Sequence, residues 1–203
     1  TTILFGDENG SFVNRTILLS GDTPSDVAID DIDMDGNKDL VVSHFDVNYI
    51  TVFIGNGNGS FVKKENIDVH GGQHSLLIKD IKFDGKLDIA GSLFYDDKIF
   101  SLFGSGNGSF YTLNTCNVGK LPSTIALDDF NYDGLYDIAV VCEFDNVISI
   151  LSGNDDFTFS FGANFIAGNR PAALISADIN NDGKIDIAVA NWYTNDVTTM
   201  LNN

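Results

Sequence analysis

The sequence is short of helical patterning, of long apolar runs and of cysteine, and each shortage limits what the protein can be. Few good helix formers recur on a periodic face, so the residues favour sheet over helix. No apolar run approaches the roughly 20 residues that a membrane-spanning helix needs, so we expect no membrane insertion. Of the two cysteines, Cys116 falls at an apolar strand position, and we interpret it as a buried free thiol.

Basic side chains and catalytic motifs are scarce as well. The 203 residues include 11 lysines and arginines against 29 aspartates and glutamates, a formal net charge of −18. Such a surface repels nucleic acid and anionic membranes, so we expect neither as a partner. There is no Ser-His-Asp order, and the Gly55-Asn-Gly-Asn-Gly59 run lacks the helix and lysine of a phosphate loop. We therefore expect that the protein is not an enzyme.

What the sequence does contain indicates a repeated β-structure. It has 16 Phe, 6 Tyr and 20 Gly, with many Val, Ile and Thr. A nine-residue segment rich in aspartate occurs four times, and each copy starts 49 residues after the last. The copies are Asp31–Asp39, Asp80–Asp88, Asp129–Asp137 and Asp178–Asp186, and the same step relates Phe12, Phe61, Phe110 and Phe159, and Gly6, Gly55, Gly104 and Gly153. Constant spacing indicates one supersecondary unit stacked on copies of itself.

Each unit contains four short β-rich runs, labelled A to D. In the second unit we predict them at Ser75–Asp80, Leu87–Leu93, Lys98–Phe103 and Ser109–Thr115, separated by turn residues. Adjacent apolar positions in strand A indicate a strand that is covered on both faces. Four antiparallel strands in 49 residues are typical of a propeller blade. We therefore predict an all-β fold, with residues 1–203 forming a single β-propeller domain of four-stranded antiparallel blades.

Three arrangements of the four blades remain open. The chain begins and ends on the same strand type, because Thr1–Phe5 aligns with Val197–Leu201 and both match strand C. In a four-bladed ring, the N-terminal strand D at Ser11–Leu19 would complete the blade begun by the C-terminal strands A and B. The alternatives are half of a larger propeller, completed by a homodimer, and a piece of a longer array of repeats. Open ends expose unpaired strand edges, so some form of closure is favoured.

The aspartate segment has the chemistry of a calcium loop, with the pattern Asp-x-Asp/Asn-x-Asp-Gly-x-x-Asp. Ca²⁺ takes about six to eight oxygens at about 2.4 Å, and positions 1, 3, 5 and 9 supply side-chain oxygens. The backbone carbonyl at position 7 adds another, and the glycine at position 6 permits the sharp turn. The predicted ligands are Asp31, Asp33, Asp35, Asn37 and Asp39; Asp80, Asp84, Lys86 and Asp88; Asp129, Asn131, Asp133, Leu135 and Asp137; and Asp178, Asn180, Asp182, Lys184 and Asp186.

Three of these copies fit well, and the second departs from the pattern. Lys82 stands at its position 3 and offers no acceptor, so we expect a weakened site, or an ammonium in the place of the metal. The alternative for all four copies is a set of Asx turns without metal. Four acids in the first copy and three in each of the others, 13 of the 29, would repel one another without a cation. Sites of this type fill at millimolar calcium, which favours an extracellular setting.

The aspartate segment and its companion Phe53-Ile-Gly-Asn-Gly-Asn-Gly-Ser-Phe61 together resemble FG-GAP/VCBS repeats, the blades of integrin α-subunit propellers and of many secreted proteins. The resemblance covers essentially the whole chain. It implies calcium in the A–B loops on one face, and partners on the opposite face, which the D–A and B–C loops make. Integrin-type propellers have about seven blades, whereas this chain has four repeats.

Aromatic residues in the B–C corners are the candidate ligand contacts on that opposite face. Trp192 and Tyr193 stand beside Asn and Asp, as do Phe94 and Tyr95, a composition that suits a sugar or a peptide. The alternative is that these rings pack between blades. We therefore expect a calcium-binding extracellular module for adhesion to a protein or glycan. The other hypotheses are a carbohydrate-active lyase or hydrolase using Lys120 and Arg170, and a purely structural array.

Overall fold

The structure, a computed structural model, describes residues 1–202, and among these the side chains of all residues except 13–15. Every regular element in this range is a β-strand, bounded by the turns that the Asp-Gly and Asn-Gly sequences predict. The strands are β1 (Thr2–Gly6), β2 (Phe12–Ile17), β3 (Pro24–Asp30), β4 (Asp39–His44), β5 (Tyr49–Gly55), β6 (Phe61–Asp68), β7 (Gln73–Lys79), β8 (Asp88–Leu93), β9 (Lys98–Gly104), β10 (Phe110–Asn117), β11 (Pro122–Asp128), β12 (Asp137–Cys142), β13 (Val147–Gly153), β14 (Phe159–Ile166), β15 (Pro171–Ala177), β16 (Asp186–Asn191) and β17 (Asp196–Met200).

The strands form antiparallel sheets that follow the repeat. Blade 1 is β3–β6, blade 2 is β7–β10 and blade 3 is β11–β14, each a four-stranded sheet. Blade 4 contains β15–β17, and β1 pairs with β2 in a two-stranded sheet before blade 1. The prediction of an all-β fold with four-stranded antiparallel sheets is confirmed, and in blade 2 the four predicted runs coincide with β7–β10 to within two residues at each end.

The blades pack face to face, which explains the apolar pattern. The first strands of the blades, β3, β7, β11 and β15, contact one another in sequence and line the inner edge of the array. All six residues of β4, β8 and β12 are buried, because both faces of these strands are covered by other blades. One core cluster joins blades 1 and 2 through Val41, Ile50 and Phe100, and corresponding clusters join the later blades.

The repeated glycine is explained by close backbone approach. A Cβ atom on Gly55 would overlap the carbonyl oxygen of Lys38, and one on Gly104 would overlap that of Leu87. Each glycine is the last residue of strand C and lies against the residue that directly precedes strand B. A Cβ atom on Gly153 would overlap the Tyr136 carbonyl oxygen in the same way, so these three positions leave no room for a side chain.

The sheets do not close into a ring among the described residues. β2 pairs with β1, and β17 pairs with β16 alone, so the N-terminal strand D does not complete blade 4 in the way that a four-bladed ring requires. The structure is instead an open arc of blades. The described residues also contain no helix of the length and hydropathy that crossing a bilayer requires.

The cysteine interpretation needs one correction. Both cysteines are free thiols, but Cys116 is only half-buried, whereas Cys142 is fully buried. Cys116 lies on β10, the outermost strand of blade 2, where side chains alternate between the next blade and solvent. Burial raises the pKa of both thiols, so both are held in the neutral form.

Candidate functional site

The four aspartate loops connect the first and second strands of the blades, all at one end of the sheets. We call them loop 1 (31–39), loop 2 (80–88), loop 3 (129–137) and loop 4 (178–186). The turn between the third and fourth strands lies at the same end. In blade 2 this turn contacts loop 1 of the neighbouring blade, since the Gly108 amide donates to the Ile32 carbonyl over 3.2 Å.

All four loops share one backbone conformation. Position 4 has a positive φ in each loop: 65° at Met34, 54° at Phe83, 62° at Tyr132 and 61° at Asn181. The glycine at position 6 follows with φ between 81° and 89°. Left-handed residues at two nearby positions curl the chain into a compact loop, and the glycine takes up the more extreme angle.

The aspartate at position 1 holds this curl in place. In loop 1 the Asp31 carboxylate accepts hydrogen bonds from the amides of Asp35 (3.1 Å) and Gly36 (2.9 Å). The corresponding two bonds to Asp80, Asp129 and Asp178 occur in loops 2, 3 and 4. The position-1 side chain therefore points into the loop, as a metal ligand at this position must.

The aspartate at position 9 links each loop to the end of strand C. Asp39 is fully buried, and its carboxylate accepts from the amides of Ile32 (2.9 Å) and Gly55 (2.8 Å). Asp88, Asp137 and Asp186 make the same two contacts in the later blades. Burial raises the pKa of Asp39, Asp88 and Asp137. The pKa of Asp186 is lowered, mainly because the Asn202 amide donates to it.

The raised pKa values of three position-9 aspartates make the stability of the fold depend on pH. When folding raises the pKa of a carboxyl, that group contributes most to folding stability at pH values below its unfolded pKa. The contribution is lost as the pH rises through the folded pKa. Burial thus makes the ionised forms of Asp39, Asp88 and Asp137 less favourable in the folded protein than in the unfolded chain. The amide hydrogen bonds offset that effect, and a bound cation would offset it further.

Loop 1 brings three carboxylates to the spacing of a metal site. One oxygen from each of Asp31, Asp33 and Asp39 lies within 4.8 Å of the other two. Two oxygens that contact one Ca²⁺ ion at about 2.4 Å are at most about 4.8 Å apart. Asp35 adds a fourth carboxylate in the same loop and accepts from the Asn37 amide over 2.7 Å. The donor set is all oxygen and strongly anionic, so the residues fit a hard divalent cation.

Loops 3 and 4 carry an asparagine at position 3. The Asn131 Oδ1 atom accepts from the Asp133 amide over 2.8 Å, and its Nδ2 atom donates to Asp133 Oδ2 over 2.9 Å. Asn180 and Asp182 make the same pair of contacts in loop 4. The amide retains a ligand oxygen and removes one negative charge. These loops therefore offer a metal the same oxygens at lower charge.

Loop 2 has the same shape but an opposite charge at position 3. Lys82 Nζ donates to Asp84 Oδ2 over 2.9 Å and to the hydroxyl of Tyr111 over 2.8 Å. It also lies 5.3 Å from the ring centroid of Phe103. These hydrogen bonds raise the pKa of Lys82, and the ammonium lowers the pKa of Asp84. Position 3 thus provides an ammonium in loop 2, whereas it provides a side-chain oxygen in the other loops.

Position 7, predicted to offer a backbone carbonyl, covers the position-5 side chain. The amide of the position-7 residue donates to the position-5 carboxylate in all four loops: Asn37 to Asp35, Lys86 to Asp84, Leu135 to Asp133 and Lys184 to Asp182. Each position-7 residue is therefore fixed against the ligand cluster. Whether its carbonyl binds metal stays a prediction.

The end of the sheets opposite the loops carries the predicted aromatic residues. Trp192 and Tyr193 are exposed, and the Arg170 guanidinium lies 5.0 Å and 5.3 Å from their ring centroids. Arg170 also donates to the Tyr193 hydroxyl over 3.1 Å and pairs with Glu143 at 3.5 Å. Arg170 thus fixes two exposed rings in place. Lys120 lies 5.5 Å from the centroid of the Phe144 ring.

The second predicted aromatic pair behaves differently. Tyr95 is exposed, whereas Phe94 is half-buried and stacks on His74 with a centroid distance of 5.6 Å. Phe45 of blade 1 packs against both Phe94 and Tyr95 at 5.3 Å and 5.2 Å. Phe94 therefore packs between blades 1 and 2, while Tyr95 faces solvent at the edge of this cluster.

Two important residues were not singled out from the sequence. Tyr111, which completes the surroundings of Lys82, is 29 residues away on β10. Gln73 replaces the proline of other repeats, and its fully buried side chain accepts from the His44 amide and donates to the Val47 and His70 carbonyls. The exception to the proline pattern was the available signal for Gln73. Nothing in the repeat pattern pointed to Tyr111.

Comparison with solved structures shows a shared propeller-like fold at low sequence identity. A candidate 6-phosphogluconolactonase from Bacteroides fragilis has a TM-score of 0.76 at 15% identity, over 98% of this chain and 59% of that one. A protein from Lactobacillus plantarum has a TM-score of 0.65 at 15% identity, with the same two coverages. A candidate phosphatase from Bacteroides thetaiotaomicron has a TM-score of 0.66 at 10% identity, over 98% and 53%. The chain thus spans little more than half the length of these proteins.

No curated protein sequence matches the chain significantly. The family model described as "FG-GAP-like repeat" matches residues 31–91 and 129–189. Each match begins at the first aspartate of a loop and ends within the second strand of the next blade, β8 or β16, so it contains two loops with the strands between them. Because the two matches cover more than half of the sequence, the chain belongs to the FG-GAP-like repeat family.

Proposed function

We propose that the protein is a calcium-binding extracellular module that recognises a protein or glycan ligand and is not an enzyme. The observation that carries this proposal is the oxygen donor set of loop 1, in which Asp31, Asp33 and Asp39 already have the spacing that one ion requires. Loops 3 and 4 repeat the same backbone conformation, with an asparagine oxygen in place of the position-3 carboxylate. In this proposal loops 1, 3 and 4 bind Ca²⁺ and loop 2 does not.

Electrostatics supports a cation in these loops. The chain carries a net charge of −18, and 13 of its 29 acids lie in the four loops, four in loop 1 and three in each other loop. Like charges at these distances repel one another, and a divalent ion removes that repulsion. A site with a dissociation constant of ~0.1 mM would stabilise the fold by about 1.4 kcal/mol at ~1 mM calcium. Calcium is that abundant outside cells, which supports the extracellular setting.

The exposed aromatic face supports a recognition function. Trp192 and Tyr193 present two rings whose orientation is fixed by Arg170 before any ligand arrives. Rigid, exposed aromatic rings give large contact area at a small entropic cost, whether the ligand is a sugar ring or a peptide side chain. Arg170 itself is engaged by Glu143 and Tyr193, so its role in this proposal is to hold the rings.

Thermal unfolding tests the calcium part of the proposal. We expect the melting temperature measured by circular dichroism to rise as calcium is titrated in, to saturate near millimolar calcium, and to fall when EDTA is added. Magnesium serves as the control, because it demands a smaller octahedral site and should stabilise less. A melting temperature that EDTA leaves unchanged would refute calcium binding.

A glycan array tests the recognition part separately. The chain and its Trp192→Ala variant are compared on the same array, with Phe83→Ala as the control. Phe83 is also an exposed aromatic residue, but it lies on the loop end of the sheets. We expect binding that Trp192→Ala abolishes and Phe83→Ala preserves. Equal binding by both variants would exclude the Trp192 face as the recognition surface.

A further inference from the structure

A cavity of about 340 Å³ lies between blades 3 and 4, at the end of the sheets opposite the aspartate loops. Small-molecule sites in proteins have volumes of about 300–1,000 Å³. The lining of this cavity includes polar side chains from both B–C corners and from the segment that leads into blade 4, namely Glu143, Asn146, Asn169, Arg170 and Tyr193. The cavity therefore combines space for a small ligand with polar groups from both blades.

The Glu143 carboxylate is nearly enclosed but has few hydrogen-bond partners. Its side chain is 12% exposed, and within the described part of the chain the carboxylate accepts one hydrogen bond, from Arg170 Nε over 3.5 Å. A contact of that length is at the limit of hydrogen-bonding distance. An ionised carboxylate can accept about four such bonds. Glu143 therefore offers the cavity acceptor capacity that the protein itself leaves unused.

Arg170 supplies the complementary donors. Its guanidinium carries several N–H groups, of which one donates to Glu143 and another, on Nη1, donates to the Tyr193 hydroxyl over 3.1 Å. The backbone of Arg170 is fixed on both sides, because its amide donates to Asn146 Oδ1 over 2.7 Å and its carbonyl accepts from the Trp192 amide over 2.9 Å. Donors and acceptor thus lie side by side in an arrangement that is set before a ligand arrives.

Exposed aromatic rings border the same cavity. Phe144 is 65% exposed and Tyr193 is 60% exposed. The repeat makes Tyr193 equivalent to Phe144 in blade 3 and to Tyr95 in blade 2, which is 57% exposed. Because blades 2 and 3 have a blade on either side, exposure at this position does not depend on which residues follow blade 4. The rings therefore provide apolar surface beside the Glu143–Arg170 pair.

The junction between blades 1 and 2 shows which residues distinguish this cavity. A cavity of about 450 Å³ lies at that junction, and its lining includes an asparagine and a tyrosine two repeats before Asn146 and Tyr193. Phe45 and Gly72 stand there in place of the glutamate and the arginine. The repeat therefore forms a cavity at both junctions, and of these two only the one between blades 3 and 4 has the acid–arginine pair.

We propose that the cavity between blades 3 and 4 binds one neutral sugar residue through two neighbouring hydroxyl groups. A hydroxyl group both donates and accepts, so one donates to the Glu143 carboxylate while its neighbour accepts from the Arg170 guanidinium. The apolar face of the sugar ring packs against Tyr193. This inference rests on the recognition part of the proposed function and names the class of ligand and the contacts that select it.

The charges around the cavity favour a neutral ligand. Glu143 and Arg170 balance each other, and Lys120 lies beside the Phe144 ring. A cationic ligand such as a lysine side chain would meet Arg170 and Lys120. An acidic sugar would meet Glu143 and the field of a chain with a net charge of −18. Neighbouring hydroxyl groups supply the donor and the acceptor that the pair requires without adding charge.

Isothermal titration calorimetry with the methyl glycosides of glucose, mannose and galactose tests the proposal. We expect roughly millimolar affinity for at least one of them, in line with the size of the ligand. Glu143→Gln should weaken that binding about 10-fold, because it removes a charge-assisted hydrogen bond. Asp46→Asn is the matched control, since Asp46 is an acid that lines the cavity between blades 1 and 2, and it should leave the affinity unchanged.

A deoxy analogue of the sugar that binds identifies the hydroxyl contact. Removing the hydroxyl that donates to Glu143 should cost about 10-fold in the wild type and little in Glu143→Gln, since both changes delete the same hydrogen bond. Circular dichroism melts verify that each variant is folded. Asn169→Ala, which removes an exposed side chain from the cavity wall, is a second variant and should weaken binding about threefold.

The proposal is overturned if none of the neutral glycosides binds, if Glu143→Gln and Asp46→Asn weaken binding equally, or if the methyl glycoside of glucuronic acid binds more tightly than the neutral ones. In any of these cases, array binding that Trp192→Ala abolishes would still support the proposed recognition function, with a ligand on the exposed face outside the cavity. The two failures are therefore distinguishable.

Discussion

Loop 1 and loop 2 have nearly the same backbone but carry opposite charges at position 3. Both have left-handed residues at positions 4 and 6, and both hold the position-1 carboxylate with two amide hydrogen bonds. Loop 1 adds an aspartate at position 3, and its carboxylates gather at ion-ligand spacing. Loop 2 adds Lys82, whose ammonium bonds to Asp84 and Tyr111.

The comparison distinguishes the residues that determine the backbone of the loop from the residue that determines which cation lies in it. Amide hydrogen bonds to positions 1 and 9, together with the glycine at position 6, recur in both loops and determine the backbone. The residue at position 3 differs between the loops, and in our proposal it determines whether the loop contains its own ammonium group or binds a metal ion. Four substitutions separate these two roles, from the largest expected effect to the smallest.

The largest effect should come from the buried carboxylate that both kinds of loop share. Asp88→Ala leaves the amides of Ile81, Lys82 and Gly104 without an acceptor. We expect a loss of about 3 kcal/mol in the free energy of unfolding, measured by urea denaturation. Because Asp88 lies in loop 2, the loss should be the same in calcium and in EDTA.

Asp155→Ala is the control for Asp88→Ala, since Asp155 is an exposed acid in the turn before β14. It should change the free energy of unfolding by less than about 0.5 kcal/mol. A loss for Asp88→Ala no larger than that for Asp155→Ala would show that position 9 does not tie the loop to strand C.

Lys82→Asp should give loop 2 the aspartate at position 3 that loop 1 has. In EDTA we expect a loss of about 2 kcal/mol, because Asp84 and Tyr111 lose their ammonium partner and a further acid joins the cluster. In calcium most of that loss should be recovered as the new site fills. Chemical denaturation under both conditions measures the difference, and a variant that gains nothing from calcium would contradict the conversion.

Asp33→Lys makes the reverse change in loop 1. It should remove one calcium site, and with it about 1.4 kcal/mol of stabilisation at ~1 mM calcium. The new lysine in loop 1 should not find the hydroxyl partner that Lys82 has in loop 2, because Val62 stands where blade 2 has Tyr111. The melting temperature in EDTA should therefore stay near that of the wild type, whereas an undiminished calcium response would exclude Asp33 as a ligand.

The smallest effect should come from Tyr111→Phe. It removes the hydroxyl that accepts from Lys82 and keeps the ring that packs near Phe103. We expect a loss of at most about 1 kcal/mol in the free energy of unfolding, equal in calcium and EDTA. A loss that appears in only one of the two conditions would connect Tyr111 to a metal site.

Much of this architecture could be predicted from the sequence, because a repeat shows each local feature four times. The 49-residue step, the turn glycines and the adjacent apolar positions gave the strands of each blade to within a few residues. Contacts made once in the chain could not be predicted in this way. Tyr111 reaches Lys82 across two strands, and Arg170 reaches Trp192 across 22 residues, and neither partner recurs in the other repeats.

The ends of the arc show a second limit of prediction from the sequence. The alignment of Thr1–Phe5 with Val197–Leu201 revealed a duplicated strand type. It did not show that β2 would keep β1 as its partner, because both choices preserve the same register. The local sequence pattern is the same whether β2 pairs with β1 or with the C-terminal strand of the same type. Only the packing of whole blades distinguishes the two pairings.

The number of calcium ions bound per chain tests the central claim most directly, and isothermal titration calorimetry measures it. We predict three ions for the wild-type chain, two for Asp33→Lys and four for Lys82→Asp. A count of four for the wild type would show that Lys82 does not exclude the metal from loop 2. A count of zero would show that the aspartate loops are turns held by their own hydrogen bonds.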